Sequence, residues 1–173
     1  MTVALDVDDV LAAFTPHVFR YFRQDIEECD YWCVKGMAKR FGKDWFTGKI
    51  SKDMGFWKTL PVLSFPEYID FEFDYYISSF PEWLYDEREW WLARNKFPEK
   101  PLIHTMNKVE KCKELGVDLL IDDKPQTITE CKEAGINTLH FIPYYAGFKP
   151  IGKYITSLKH VNTWLKKKDL DTI

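Results

Sequence analysis

This chain of 173 residues has no apolar run long enough to span a bilayer, so no membrane partner is expected. No basic segment precedes its first apolar residues, and Asp6 interrupts them at once, so no secretory leader is expected either. It has no internal repeat and no low-complexity tract. Cysteine is scarce: Cys29, Cys33, Cys112 and Cys131 are the four, and only the first two are close. A C-x3-C pair alone is a weak metal signal. Four reduced thiols in a cytoplasmic protein are expected, not a disulfide framework.

What is present describes an ordinary globular chain. Hydrophobic residues make up 46% and charged residues 29%, and the length fits one domain with room for an insertion. Aromatics reach 17%, enough for a core, a stacking pocket or an interface. Net charge is only −3, but the charges are segregated. Residues 35–58 carry seven bases (Lys35, Lys39, Arg40, Lys43, Lys49, Lys52, Lys58) against Asp44 and Asp53. Residues 67–89 carry eight acids against Arg88 alone. Such runs are ordinarily solvated faces, and the basic one is also suited to attract an anion.

Along the chain, residues 2–6 read as a buried strand and 15–24 as a helix, with Pro16 in its first turn. A second helix is expected over 34–41, then a Gly- and Pro-broken stretch over 42–66 and a short helix over 66–71. The second half alternates: strand 73–77, helix 82–95 with Trp83, Trp90 and Trp91 on or near one face, strand 101–104, helix 108–115. Strand 117–123, helix 127–134, strand 137–141 and a helical tail over 155–168 complete it. Strands alternating with helices predict an α/β fold, a Rossmann-like parallel sheet with helices on both faces. Residues 15–72 are too many for a simple crossover. They are expected as a small, mainly helical cap inserted in a core of residues 1–14 and 73–173.

The stretch "VALDVDDVLAAF" crowds Asp6, Asp8 and Asp9 into an apolar run, where unpaired charges are costly. Asp6 and Asp8 would share one face of a continuing strand. "DLLIDD" ends in Asp122 and Asp123. In a parallel α/β sheet, ligands bind at the carboxyl ends of strands. If these two strands are neighbours, their carboxylates meet, and a hard cation such as Mg2+ suits an all-oxygen set.

At these residues the sequence resembles the haloacid dehalogenase superfamily of phosphatases. "LDVDDVLAAF" is similar to that family's first motif and "LLIDDKP" to its fourth. Between them, "YYISSFPEW" supplies Ser78 and Ser79, and Lys108 stands fourteen residues before Asp122. Within the superfamily the chain most resembles the 5′(3′)-deoxyribonucleotidase group, through "DVDDVLAAF", "GFWKTLPVL" and the order I-S-S-x-P, W-L, K, I-D-D. It departs from relatives with an arginine after the second motif, since Phe80 stands there. Thr105 is a weaker alternative for the second motif, because Lys108 would follow it with no room for a helix.

The resemblance implies a Mg2+-dependent phosphomonoesterase acting on (deoxy)nucleoside monophosphates. Asp6 would attack phosphorus and Asp8 would protonate the leaving oxygen. Ser78, Ser79 and Lys108 would bind phosphate. The implied metal set is Asp6, Asp8, Asp122 and Asp123, with the direct ligand of the last two left open. Asp9 is expected to cap the following helix or bond its loop, and the four histidines to be structural or at the surface. Phe56 and Trp57 are core by composition but would stack a nucleobase if they face the site, with Lys58 beside them. Two alternatives stand: a polynucleotide end (3′-)phosphatase, favoured by the basic segment, and a binding module of the same fold without activity.

Overall fold

The computed structural model describes residues 1–170. Val3–Leu5 (β1) is three apolar residues, all buried, as a central parallel strand requires. Tyr75–Ser78 (β2), Leu102–His104 (β3), Leu119–Asp122 (β4), Asn137–Phe141 (β5) and Tyr154–Ile155 (β6) join it in one sheet. The spatial order is β3-β2-β1-β4-β5-β6, and every neighbouring pair is parallel.

The helices are Phe14–Tyr21 (α1), Val34–Phe41 (α2), Met54–Lys58 (α3), Tyr85–Arg94 (α4), Lys108–Glu114 (α5), Pro125–Glu133 (α6) and Val161–Leu170 (α7). The period of two along each strand decides which helices pack where. Val3, Leu5, Tyr76, Leu119 and Ile121 share one apolar cluster with Phe19 of α1, Trp91 of α4 and Val161 of α7. Ala4, Ile77 and Leu120 share the other with Cys112 of α5 and Cys131 of α6. Both faces of the sheet are therefore covered, as the alternation predicts.

This order also places the site. The chain runs outward from β1 to β2 and β3, then crosses back to β4 on the other side of β1. The crossovers diverge between β1 and β4, and a crevice opens at the carboxyl ends of those two strands.

Several local expectations are corrected. The helix expected over 15–24 stops at Tyr21, because Arg23 turns left-handed at φ +56°. The Arg23 N–H then bonds the Arg20 carbonyl and the Gln24 N–H reaches back to Phe19, the closure that usually recruits glycine. The helix expected over 82–95 begins as a 3-10 turn, Glu82–Leu84. Its tryptophans do not share a face: Trp91 is buried, whereas Trp83 is 68% and Trp90 42% exposed. The short strand β6 has too little pattern in its two residues to be seen in the sequence.

The segment between β1 and β2 supplies α1, α2 and α3. Its buried side chains, among them Phe19, Phe41, Ile50, Phe56 and Trp57, belong to the same apolar cluster as Leu5 and Leu11. Trp57 is 1% exposed, and its indole N–H donates to the Ile50 carbonyl at 2.9 Å. Trp57→Ala should therefore destabilise the protein by about 3–5 kcal/mol in urea unfolding. The exposed neighbour Lys58 should tolerate alanine within about 0.5 kcal/mol.

Candidate active site

The crevice is built from the strand ends upward. Asp6 follows β1 and is still held against β4, its N–H bonding the Ile121 carbonyl at 2.9 Å. Asp122 closes β4, and Asp123 follows it. Carboxylate oxygens of Asp6, Asp122 and Asp123 lie within 4.8 Å of one another, and all three residues are buried. Lys108, the first residue of α5, sits between two of them. Its ammonium lies 2.7 Å from Asp6 Oδ2 and 2.6 Å from Asp122 Oδ2. Asn107 caps α5 by accepting from the Glu110 N–H, which sets where Lys108 begins.

The remaining bonds distinguish the acids. Asp122 Oδ1 accepts the Lys124 N–H at 2.8 Å and Asp6 Oδ1 the Val7 N–H at 2.7 Å, so both oxygens of each already carry a hydrogen bond. Asp123 Oδ2 accepts from Tyr31 OH at 2.7 Å and from the Trp32 indole at 3.1 Å. Asp123 Oδ1 is buried with no partner, an arrangement that ordinarily marks a missing ligand. Three carboxylates against one ammonium leave two formal negative charges. Charge, donor type and the orphaned oxygen all fit a hard divalent cation, with Asp6 and Asp123 offering oxygens. Asp8 is not in this cluster.

Electrostatics follow burial. Burial pushes Asp6 up to about 7, with repulsion from Asp122 and Asp8 adding to it and Lys108 opposing. Burial, then the charges of Asp9, Asp122 and Asp6, raises Asp123 further. Burial works against the Lys108 charge, but Asp122 and Asp6 outweigh it and move its pKa up. Burial likewise raises Asp8, against the pull of Arg88.

A cleft of about 790 Å³ opens onto these groups, lined by Asp6, Asp8, Ser78, Ser79, Lys108, Trp32 and the facing sides of α5 and α6. Ser78 ends β2, is buried, and its hydroxyl has no partner in the protein. The Ser79 hydroxyl donates to the Thr105 carbonyl at 2.7 Å and so ties the loop down. Thr105 bonds its own turn and does not line the cleft.

The expectation for Phe56, Trp57 and Lys58 is corrected. Both rings are packed in the core, Lys58 points to solvent, and none of the three lines the cleft. A "GFW" run in a loop-rich segment looks like a presented wall, but α3 buries it. None of the bases in residues 35–58 lines the cleft either. The aromatic wall is instead Trp32, half-buried, with the Lys124 ammonium 5.1 Å from its ring centre.

Asp9 takes its expected role. Its carboxylate accepts the Thr15 N–H at 2.8 Å and the Thr15 hydroxyl at 2.7 Å, in the first turn of α1. Tyr145 OH donates to it as well. These bonds hold Asp9 at φ +57°, a left-handed conformation that short polar side chains tolerate best. His140 is structural: its Nδ1 accepts the Ile151 N–H at 3.0 Å, which leaves Nε2 to donate to the Asp123 carbonyl at 2.9 Å.

Arg88 escaped the sequence reading as a site residue. Its guanidinium, 1% exposed, donates to Asp8 Oδ1 at 2.5 Å. Its signal was visible: it is the lone base in an acidic run.

Burial pushes Asp9 up to about 7 from an ordinary value near 3.8. Between about pH 4 and 7 the unfolded Asp9 is ionised while the folded one keeps its proton, so its contribution to stability falls as pH rises. Asn cannot ionise. The melting temperature of Asp9→Asn minus that of wild type should therefore rise from about pH 4.5 to 7 and level off above. Calorimetry in metal-free buffer measures it, and a flat difference would show Asp9 ionised in the fold.

No protein-family model matches the sequence, and no curated protein matches it. Among solved structures, an L-2-haloacid dehalogenase superposes with a TM-score of 0.58 at 13% identity, covering 95% of this chain and 98% of that one. A 2-haloacid dehalogenase from Pseudomonas syringae pv. Tomato DC3000 gives 0.55 at 11% identity, covering 97% and 100%. The UTR4 protein of Saccharomyces cerevisiae gives 0.51 at 12%, covering 91% and 98%. At such identities the likeness is one of architecture, and the chain has the haloacid dehalogenase fold.

Proposed function

We propose that the protein is a Mg2+-dependent phosphomonoesterase that hydrolyses (deoxy)nucleoside monophosphates. One observation carries the reading: Asp6, Asp8, the unpartnered Ser78 hydroxyl and Lys108 face one cleft, beside a buried carboxylate cluster with an orphaned oxygen. Bound at Asp6 and Asp123, the cation would neutralise charge on the phosphoryl group and orient it.

The residues would do the rest. A carboxylate oxygen of Asp6 forms a bond to phosphorus as the ester P–O bond breaks, and Asp8 gives its proton to the departing oxygen. Water then attacks the aspartyl-phosphate, Asp8 takes its proton, and inorganic phosphate leaves with Asp6 restored. Ser78 donates to a phosphoryl oxygen. Lys108 holds Asp6 in place and lies across the same charge.

Haloacid dehalogenation is the second reading, favoured by the named structures of this fold. It would leave much of the site idle. A halide is a weak base and departs without a proton, so Asp8 and the cation-fitting cluster would have no task. An alkoxide is a strong base and needs both. The polynucleotide alternative loses support because the basic segment does not line the cleft. Trp32 supports a nucleobase on the leaving side, since its ring walls that cleft. Four unpaired thiols support a reducing, cytoplasmic setting. Among the described residues no helix is long and apolar enough to cross a membrane.

The test is phosphate release from nucleotides, sugar phosphates and 3′-phosphorylated oligonucleotides, with halide release from 2-chloro acids run beside it. Phosphate release should require Mg2+ and stop with EDTA. Asp6→Asn should lower it by about 10⁴-fold or more without unfolding the protein. Halide release without phosphate release would replace this reading by the second one.

Trp32→Ala separates the base from the phosphate. Loss of its bond to Asp123 acts on the phosphate end, so the ratio of kcat/KM for a nucleotide to that for ribose 5-phosphate, which has the same leaving oxygen and no ring to stack, isolates stacking. That ratio should fall about thirty-fold, the middle of the roughly 1–3 kcal/mol that base stacking contributes. An unchanged ratio would remove nucleobase recognition from Trp32.

A further inference from the structure

Arg88 is the costliest side chain near the site. It is 1% exposed, and its Nε and Nη1 are buried with no hydrogen-bond partner. Around it stand Trp57, Phe80 and Trp91, with ring centres 5.4, 5.8 and 5.8 Å from the guanidinium carbon. Cation–π attraction offsets part of the desolvation, but two unmade hydrogen bonds remain. An apolar side chain of similar volume would fill this aromatic cage at lower cost. Stability therefore does not account for an arginine here.

Among the described residues its one hydrogen-bond partner is Asp8. Nη2 holds Asp8 Oδ1 at 2.5 Å, while Arg88 itself does not line the cleft. Among the described residues the Asp8 carboxylate has no other hydrogen-bond donor, and Asp8 lines the cleft. Asp8 sits just outside β1 in a tight turn, where no other side chain fixes its rotamer. The cage in turn fixes Arg88: three rings leave its guanidinium little freedom to swing.

We infer that Arg88 is a positioning residue: it clamps one oxygen of Asp8 so that the other is presented to the leaving-group oxygen of the substrate. The inference rests on the phosphomonoesterase reading. Arg88 touches neither phosphate nor cation, so its effect passes wholly through Asp8 and scales with how much the leaving group needs a proton.

The experiment compares kcat/KM for an alkyl phosphate with that for p-nitrophenyl phosphate, because this parameter reports the phosphoryl-transfer step and not the later hydrolysis. Arg88→Met should lower the alkyl value by about 10–100-fold, less than the roughly 10²–10⁴-fold a general acid supplies, because the acid is misplaced and not removed. The aryl value should fall by about three-fold or less, since nitrophenolate leaves without help. Melting temperature should hold or rise. In an Asp8→Asn background, Arg88→Met should change the alkyl value by no more than about three-fold, since the two act as one unit. Equal losses for both esters, or full additivity with Asp8→Asn, would overturn the assignment. If Arg88→Met does not fold, Arg88→Lys carries the same comparison, with the same alkyl-over-aryl selectivity expected and equal losses again overturning it. A wild-type protein inactive on both esters overturns the phosphomonoesterase reading and this inference with it. Wild-type activity with unselective losses overturns the Arg88 role alone.

Discussion

Buried negative charge beside β1 and β4 is the constraint to which the surrounding structure answers. Asp6, Asp122 and Asp123 are 4%, 0% and 0% exposed. An uncompensated buried ion costs several kcal/mol even after relaxation. Lys108 serves two of the three and cannot reach further. The third, Asp123, receives two neutral donors on one oxygen and nothing on the other. The upward pKa shifts of Asp6 and Asp123 follow from this shortfall. Burial favours the protonated forms of Asp6 and Asp123, and a bound cation would oppose that.

The segment between β1 and β2 is tied into that arrangement. Tyr31 and Trp32 reach across to Asp123. Their loop is anchored where the Cys29 N–H bonds the Tyr145 carbonyl at 3.1 Å and the Gly147 N–H bonds the Cys29 carbonyl at 2.9 Å. Gly147 is required there, since a Cβ would lie 2.8–2.9 Å from the Cys29 backbone. Tyr145 of that same loop donates to Asp9, whose carboxylate accepts the Thr15 N–H in the first turn of α1. One run of close packing therefore fixes both the free oxygen of Asp123 and the aromatic wall of the cleft.

The sheet and the strand-end acids were legible in the sequence because both depend on local pattern. Apolar strands alternating with helices predict the parallel sheet, and the two acidic strand ends meet because β1 and β4 are neighbours. Helix ends were less legible, since Arg23 and Lys96 take the left-handed closing position that a reader expects of glycine. Aromatic roles were not legible at all. Whether Trp57 or Trp32 faces the cleft depends on how a long insertion folds back, and nothing in either local sequence decides it. Arg88 stood out as the lone base of an acidic run, but its partner was not legible, because Asp8 is 80 residues away.

The fold itself does not choose a reaction. A parallel sheet with a nucleophilic aspartate at its switch point can displace halide from carbon or an alkoxide from phosphorus. The leaving group makes the difference, because one departs without a proton and the other needs one. Asp8 lines the cleft, and Arg88 lies buried behind it with two hydrogen bonds unmade. Its contact with Asp8, in the role proposed for it, matters only where the leaving group needs a proton. On the phosphomonoesterase reading proposed above, the contact of Arg88 with Asp8 would serve an oxygen leaving group.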